Sequence, residues 1–135
     1  MPEIFADTFY WIALANPTDV FHHAAKSFDI KWPTAALVTT DEVLSEFLNY
    51  FADTSERKRR TAVRMFEETI RHAAIEVLPQ TRQSLLRGLD LYKARSDKSY
   101  SLTDCISMVS MRERNITNVL THDRHFTQEG FTVLL

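Results

Sequence analysis

Four short apolar runs, at residues 4–8, 35–38, 75–78 and 118–120, are separated by longer segments whose apolar residues recur at helical spacing. Runs this short, rich in Ile, Val and Phe, suit strands, and the segments between them are long enough for helical crossovers. The alternation predicts an α/β fold around a mainly parallel sheet of four strands, with residues 131–134 as a short fifth. Helices are expected over residues 9–15, 19–28, 57–73, 81–95 and from Ser101 to about residue 114. Thr39 or Thr40 is expected to cap another that runs to about residue 50, Thr39 and Glu42 fitting a capping box. Val63, Phe66 and Ile70 are read as the inner face of one helix, and Leu85, Leu86, Leu89 and Tyr92 as that of the next.

A chain of 135 residues with 44% hydrophobic content reads as a single domain over residues 1–135, able to bury a sizeable core. The formal net charge of −2 supplies no global positive field, so a nucleic-acid surface would have to be local. One cysteine, Cys105, excludes an internal disulfide framework and a cysteine-rich zinc site, and a reducing cytoplasm is the expected setting. No apolar stretch reaches membrane-spanning length, and the acidic Glu3 and Asp7 do not suit a signal-peptide start. With only Gly88 and Gly130 as glycines, neither a P-loop nor a dinucleotide fingerprint can be assembled.

Four acids then stand out by position. Asp7 closes the first apolar run and Asp123 follows the fourth, while Glu46 and Asp104 lie on the helices after the second run and before the fourth. Parallel strands place their ligand crevice beyond the carboxyl ends, where these side chains would meet. Carboxylates so close repel one another unless a cation intervenes, and hard oxygen donors suit Mg²⁺ or Mn²⁺. The chemistry such sites perform best is attack of water on a phosphodiester. Taken singly, Asp104 three residues after Ser101 also fits a helix-capping box, and Asp123 also fits a cap for a short helix at residues 124–128. Asp7 is the strongest single case, because a carboxylate at the end of a buried strand is costly to desolvate without a partner.

The segments Phe5-Ala6-Asp7-Thr8, Val43-Leu44-Ser45-Glu46-Phe47-Leu48, Leu102-Thr103-Asp104-Cys105-Ile106-Ser107 and Leu120-Thr121-His122-Asp123-Arg124-His125-Phe126 resemble, in order and spacing, the successive motifs of PIN-domain proteins. Among these, the compact length is similar to that of VapC-like endoribonucleases, the toxins of type II toxin–antitoxin systems. The resemblance implies a three-layer α/β/α fold, Mg²⁺- or Mn²⁺-dependent RNA cleavage, a homodimer and a cognate antitoxin. It carries the acidic quartet onto Asp7, Glu46, Asp104 and Asp123, for catalysis and metal binding, with Thr8 and Thr121 as supporting hydroxyls. A non-catalytic PIN-like module that binds RNA or protein, and a PIN nuclease acting on DNA, are the alternatives.

Receiver-like and haloacid-dehalogenase-like phosphotransfer sites fail on visible residues, since Phe9 stands where the second acid of the latter would be and no lysine follows Leu120 closely. Arg57, Lys58, Arg59 and Arg60 form the densest positive run and are candidates for RNA contact, with Arg82, Arg87, Lys93 and Arg95 as a second series. His122 and His125 are read as surface or phosphate-near residues, and Cys105 as a small core residue.

Overall fold

The computed structural model describes residues 2–135. Five parallel strands, β1 (Ile4–Ala6), β2 (Leu37–Thr40), β3 (Ile75–Leu78), β4 (Asn118–Leu120) and β5 (Thr132–Val133), form one sheet in the order β3-β2-β1-β4-β5. β1 is the centre, pairing Phe5 with Val38 on one side and with Val119 on the other. Its residues and those of β2 are buried throughout, as strands covered on both faces must be.

Helices α1 (Thr8–Ala15) and α2 (His22–Lys31) connect β1 to β2, and α3 (Asp41–Tyr50) and α4 (Glu56–Arg71) connect β2 to β3. The chain then reverses. Helices α5 (Arg82–Ala94) and α6 (Leu102–Glu113) carry it back past β1 to β4, and α7 (His125–Gln128) leads to β5. Right-handed crossovers in opposite directions put the two groups of helices on opposite faces, giving three layers. Between β1 and β4 the strand order switches, so their carboxyl ends open a crevice. Among the described residues no helix is long and apolar enough to cross a membrane.

Local chemistry explains where expectation and structure part. β1 stops at Ala6 because Asp7, extended at φ −85° and ψ 167°, is already the N-cap of α1. β2 begins at Leu37, two residues later than expected, and runs on through Thr39 and Thr40. Thr39 is therefore a sheet residue and forms no capping box with Glu42. Its hydroxyl donates to the Ala6 carbonyl at 2.8 Å and accepts from the Trp11 indole at 3.4 Å. Thr40 is the cap, accepting from the Val43 amide at 3.1 Å. On α4 the inward residues are Ala62, Met65, Phe66 and Thr69, and Val63 and Ile70 are exposed. The stripe is rotated from the expected one, with the small Ala62 and Thr69 in its buried positions. On α5, Leu86 and Tyr92 are likewise exposed, and the buried position is Gly88.

Gly88 marks the closest approach of α5 and α6. A Cβ there would overlap Ile106 Cγ1 and lie 3.2 Å from the Ile106 Cα and amide nitrogen. α6 ends in a left-handed residue, Asn115 at φ 56°, and the Ile116 amide donates to the Met111 carbonyl at 2.8 Å. Gly88→Ala should separate the two helices and cost about 1–3 kcal/mol, as overpacking does. Chemical denaturation would show this as a lower midpoint with an unchanged slope.

Candidate active site

Asp7, the N-cap of α1, is only 2% exposed and lies at the bottom of the crevice. The Thr121 hydroxyl, just past β4, donates to Asp7 Oδ2 at 2.9 Å and accepts from the Asp123 amide at 3.1 Å. One hydroxyl thus ties the ends of β1 and β4 together. Asp7 Oδ1 and the buried Thr8 hydroxyl have no hydrogen-bond partner. Burial pushes the Asp7 carboxyl up to about 7, and the nearby Asp104 charge adds to the rise. The Thr8 amide and Thr121 hydroxyl oppose it, and Glu46 adds a smaller repulsion.

Asp104 sits in the first turn of α6, where it does two things at once. It completes the capping box, accepting from the Ser101 amide at 3.2 Å while the Ser101 hydroxyl accepts from the Asp104 amide at 3.0 Å. The same carboxylate faces the crevice, its pKa raised by burial and by Asp123 and Glu46, with Ser101 and His125 pulling it down. Glu46 is half-buried on α3 and reaches the same groove, which has a volume of about 470 Å³ and is also walled by Thr8, Phe9, Tyr50 and Asp123. Asp123 accepts from the His125 amide at 2.9 Å, which shapes the loop into α7.

The structure therefore brings Glu46, Asp104 and Asp123 to the lining of one groove and buries Asp7 close to them. Asp104, Asp123 and His125 each offer a ligand atom within 4.8 Å of the others. Asp7 lies beneath them and Glu46 at the wall. Of the two histidines read as surface or phosphate-near residues, His125 is the one that turns into this cluster. Its Nδ1 is buried without a hydrogen-bond partner, 3.3 Å from Asp123 Oδ1 and 3.5 Å from Asp104 Oδ2. The Asp-x-His spacing was the available signal, but nothing in it told the inward ring from an outward one. His122 turns away, stacked on Phe21 at 4.0 Å and against Phe9 at 4.2 Å. Cys105 is buried, its thiol pushed up to about 11 first by burial and then by Asp104, which fits the core role expected of it.

This donor set fits a divalent cation. An unpartnered, fully desolvated carboxylate oxygen beside two further carboxylates is stable as an anion only when positive charge faces it. Asp7, Glu46, Asp104 and Asp123 are the residues that could hold the ion, and His125 could add a nitrogen donor. Arg57, Lys58, Arg59 and Arg60 are exposed on α4 and none of them lines the groove. Arg57 and Lys58 line a separate pocket with Asn16 and Phe51, Arg59 donates to the Ala52 carbonyl, and Arg60 pairs with Glu56.

The raised Asp7 pKa has a measurable cost. The folded chain holds this proton more tightly than the unfolded one, so the stability it contributes is complete below pH 3.8 and is lost as pH rises through about 7. In EDTA at pH 8, Asp7→Asn should therefore melt at a higher temperature than wild type, by up to roughly 4 kcal/mol of stability. The difference should disappear near pH 4. Equal melting of the two proteins at both pH values would contradict the burial of an unpaired charge.

Comparison with known proteins places this geometry. The 23S rRNA-specific endonuclease VapC20 of Mycobacterium tuberculosis is 28% identical over 132 residues, which cover 95% of each chain. The crystal structure of that protein, described as a Sarcin-Ricin loop cleaving toxin, superposes with a TM-score of 0.85 at 26% identity over 96% of each chain. FitAcB from Neisseria gonorrhoeae superposes with a TM-score of 0.70 over 98% of this chain and 96% of its own, a likeness of fold at 14% identity. The PIN domain model matches residues 4–131, nearly the whole sheet and every acid of the groove, and the chain belongs to the PIN domain family.

Proposed function

We propose that this chain is a metal-dependent endoribonuclease that hydrolyses RNA phosphodiester bonds, acting as the toxin of a type II toxin–antitoxin pair. The observation that carries the reading is the buried Asp7, its Oδ1 unpartnered, within electrostatic reach of Asp104 and Glu46, which line one groove with Asp123 at the switch point. The likeness to a ribosomal-RNA endonuclease over 95% of both chains supports RNA as the substrate. It also makes 23S rRNA the first RNA to test.

Bound Mg²⁺ or Mn²⁺ would supply Lewis acidity, lowering the pKa of water and offsetting charge on the phosphate. The chain's own residues do the rest. Thr121 fixes the rotamer of Asp7 and the position of the Asp123 loop with one hydroxyl. Asp104 is held by the α6 capping box, so its carboxylate enters the groove preorganised. The Thr8 hydroxyl is buried without a protein partner in a residue that lines the groove, which supports a role as donor to a water held there. Phe9 and Tyr50 add apolar walls to the groove.

Mn²⁺ tolerates a nitrogen donor better than Mg²⁺ does, so the imidazole of His125 favours Mn²⁺ at this site. The whole of residues 1–135 is one nuclease domain in this reading, working in the cytoplasm as a homodimer under a cognate antitoxin. Large exposed apolar groups beside the groove, Phe9, Tyr50 and the 90% exposed Val20, are the kind of surface a protein partner covers.

Incubating the purified chain with labelled 23S rRNA fragments and single-stranded DNA should give RNA cleavage with Mn²⁺ and none with EDTA. Asp7→Asn and Asp104→Asn should lower the rate on the order of 100-fold or more while circular dichroism stays native. Cleavage surviving both substitutions would sink the proposal, and cleavage of DNA alone would shift the substrate class. His125→Gln should weaken Mn²⁺ binding by about tenfold in calorimetry and leave Mg²⁺ binding nearly unchanged.

A further inference from the structure

Beside the carboxylate groove lies a second depression, of about 580 Å³, formed by the end of α5 and the turn leading into α6. Lys93, Arg95 and Lys98 contribute three cations to its lining, and Ser96 and Ser99 two hydroxyls. Its buried wall is Tyr100, 5% exposed, whose phenolic oxygen has no hydrogen-bond partner. Arg95 is committed to Glu129 at 2.5 Å, whereas Lys93 and Lys98 form no ion pair among the described residues. Glu129 and Arg95 are the charged groups acting most strongly on this phenol, and the two unpaired lysines of the lining supply the positive charge that suits the depression to an oxyanion.

The two depressions meet the chain at neighbouring residues. Tyr100 lines the cationic one and Ser101, the next residue, lines the carboxylate groove. The Tyr100 ring packs on His125 at 5.3 Å between centroids, so the phenol and the acidic cluster share a partition. Of the run from Arg57 to Arg60, Arg57 and Lys58 line a pocket near the carboxyl end of α1, and Arg59, which lines a shallow pocket sharing Asn49 with the groove, is engaged with the Ala52 carbonyl.

We propose that Lys93, Lys98 and Tyr100 form a subsite for a backbone phosphate of the RNA, one that flanks the phosphate held over the carboxylates. The subsite rests on the ribonuclease reading and deepens it, since it gives an almost neutral chain a local positive surface along one side of its groove. The lysines supply charge without sequence preference, and the phenol supplies a directed donor. An acidic segment of a protein partner is the competing occupant. RNA is favoured because the cations adjoin the groove where its phosphate would react.

The test measures binding and turnover separately. In an Asp104→Asn background, anisotropy of a labelled single-stranded RNA should show Lys93→Gln/Lys98→Gln binding at least tenfold more weakly. The slope of log affinity against log salt should flatten by about 1.4, as expected for two lost phosphate contacts. In the cleaving protein the same pair should raise KM at least tenfold and change kcat less than twofold, and Lys26→Gln on α2 should change neither. Tyr100→Phe should weaken RNA binding about threefold without lowering the melting temperature, because the hydroxyl it removes bonds to nothing in the free protein. Unchanged affinity and salt slope in the double variant would overturn the subsite, as would a loss confined to binding of an acidic protein partner. Lysine-dependent RNA binding with no cleavage by the parent chain would support the subsite while refuting the ribonuclease reading.

Discussion

The burial of Asp7 is the constraint on which the rest of the site depends. Its carboxylate is placed at the end of the central strand, beneath a helix start and almost out of reach of water. A single neutral hydroxyl, that of Thr121, satisfies one of its oxygens, and burial leaves its ionisation near pH 7 rather than in the usual carboxylate range. Such a group is a liability to a folded chain and an asset to a cation-binding one. The same desolvation that disfavours the bare anion strengthens its attraction for a divalent ion.

Topology determines which residues surround that carboxylate. The order β3-β2-β1-β4-β5 makes β1 the neighbour of β4, so residues far apart in sequence face each other across the switch point. Thr121 bridges them, and α6 delivers Asp104 from the opposite layer already locked by its capping box. Capping and site duties are therefore not alternatives for Asp104. The amides at the start of α6 hold the backbone end of the residue's environment while burial and neighbouring acids set its charge. His125 enters by the same economy: the Asp123 carboxylate that shapes the loop also stands beside the imidazole that the loop turns inward.

The fold was legible wherever the signal was local. β3 and β4 fall where their apolar runs stand, and the parallel sheet follows from the helices between them. What misled was apolar size read as burial. Val63, Ile70, Leu86 and Tyr92 are large and exposed, whereas Ala62, Thr69 and Gly88 are small and buried, because close helix packing selects for the side chain that fits. Thr39 looked like a cap and is a strand residue, since only the register with β1 shows that its hydroxyl has the Ala6 carbonyl to bond. The acids of the site were visible because each stands at an element boundary. Glu46, mid-helix, depended most on family resemblance, the core-like flanks Leu44, Phe47 and Leu48 lending it only slight local support. His125 and the orphaned phenol of Tyr100 could not be read in advance, as both depend on how a loop and a turn meet in space.

Anomalous diffraction at the manganese edge, from crystals grown in Mn²⁺, tests the central claim most directly. The expected result is an ion coordinated by Asp7 and Asp104, with Asp123 or His125 completing the protein ligands. An ordered groove without a manganese peak, or manganese bound only by surface acids elsewhere, would contradict the assignment of these carboxylates to a metal.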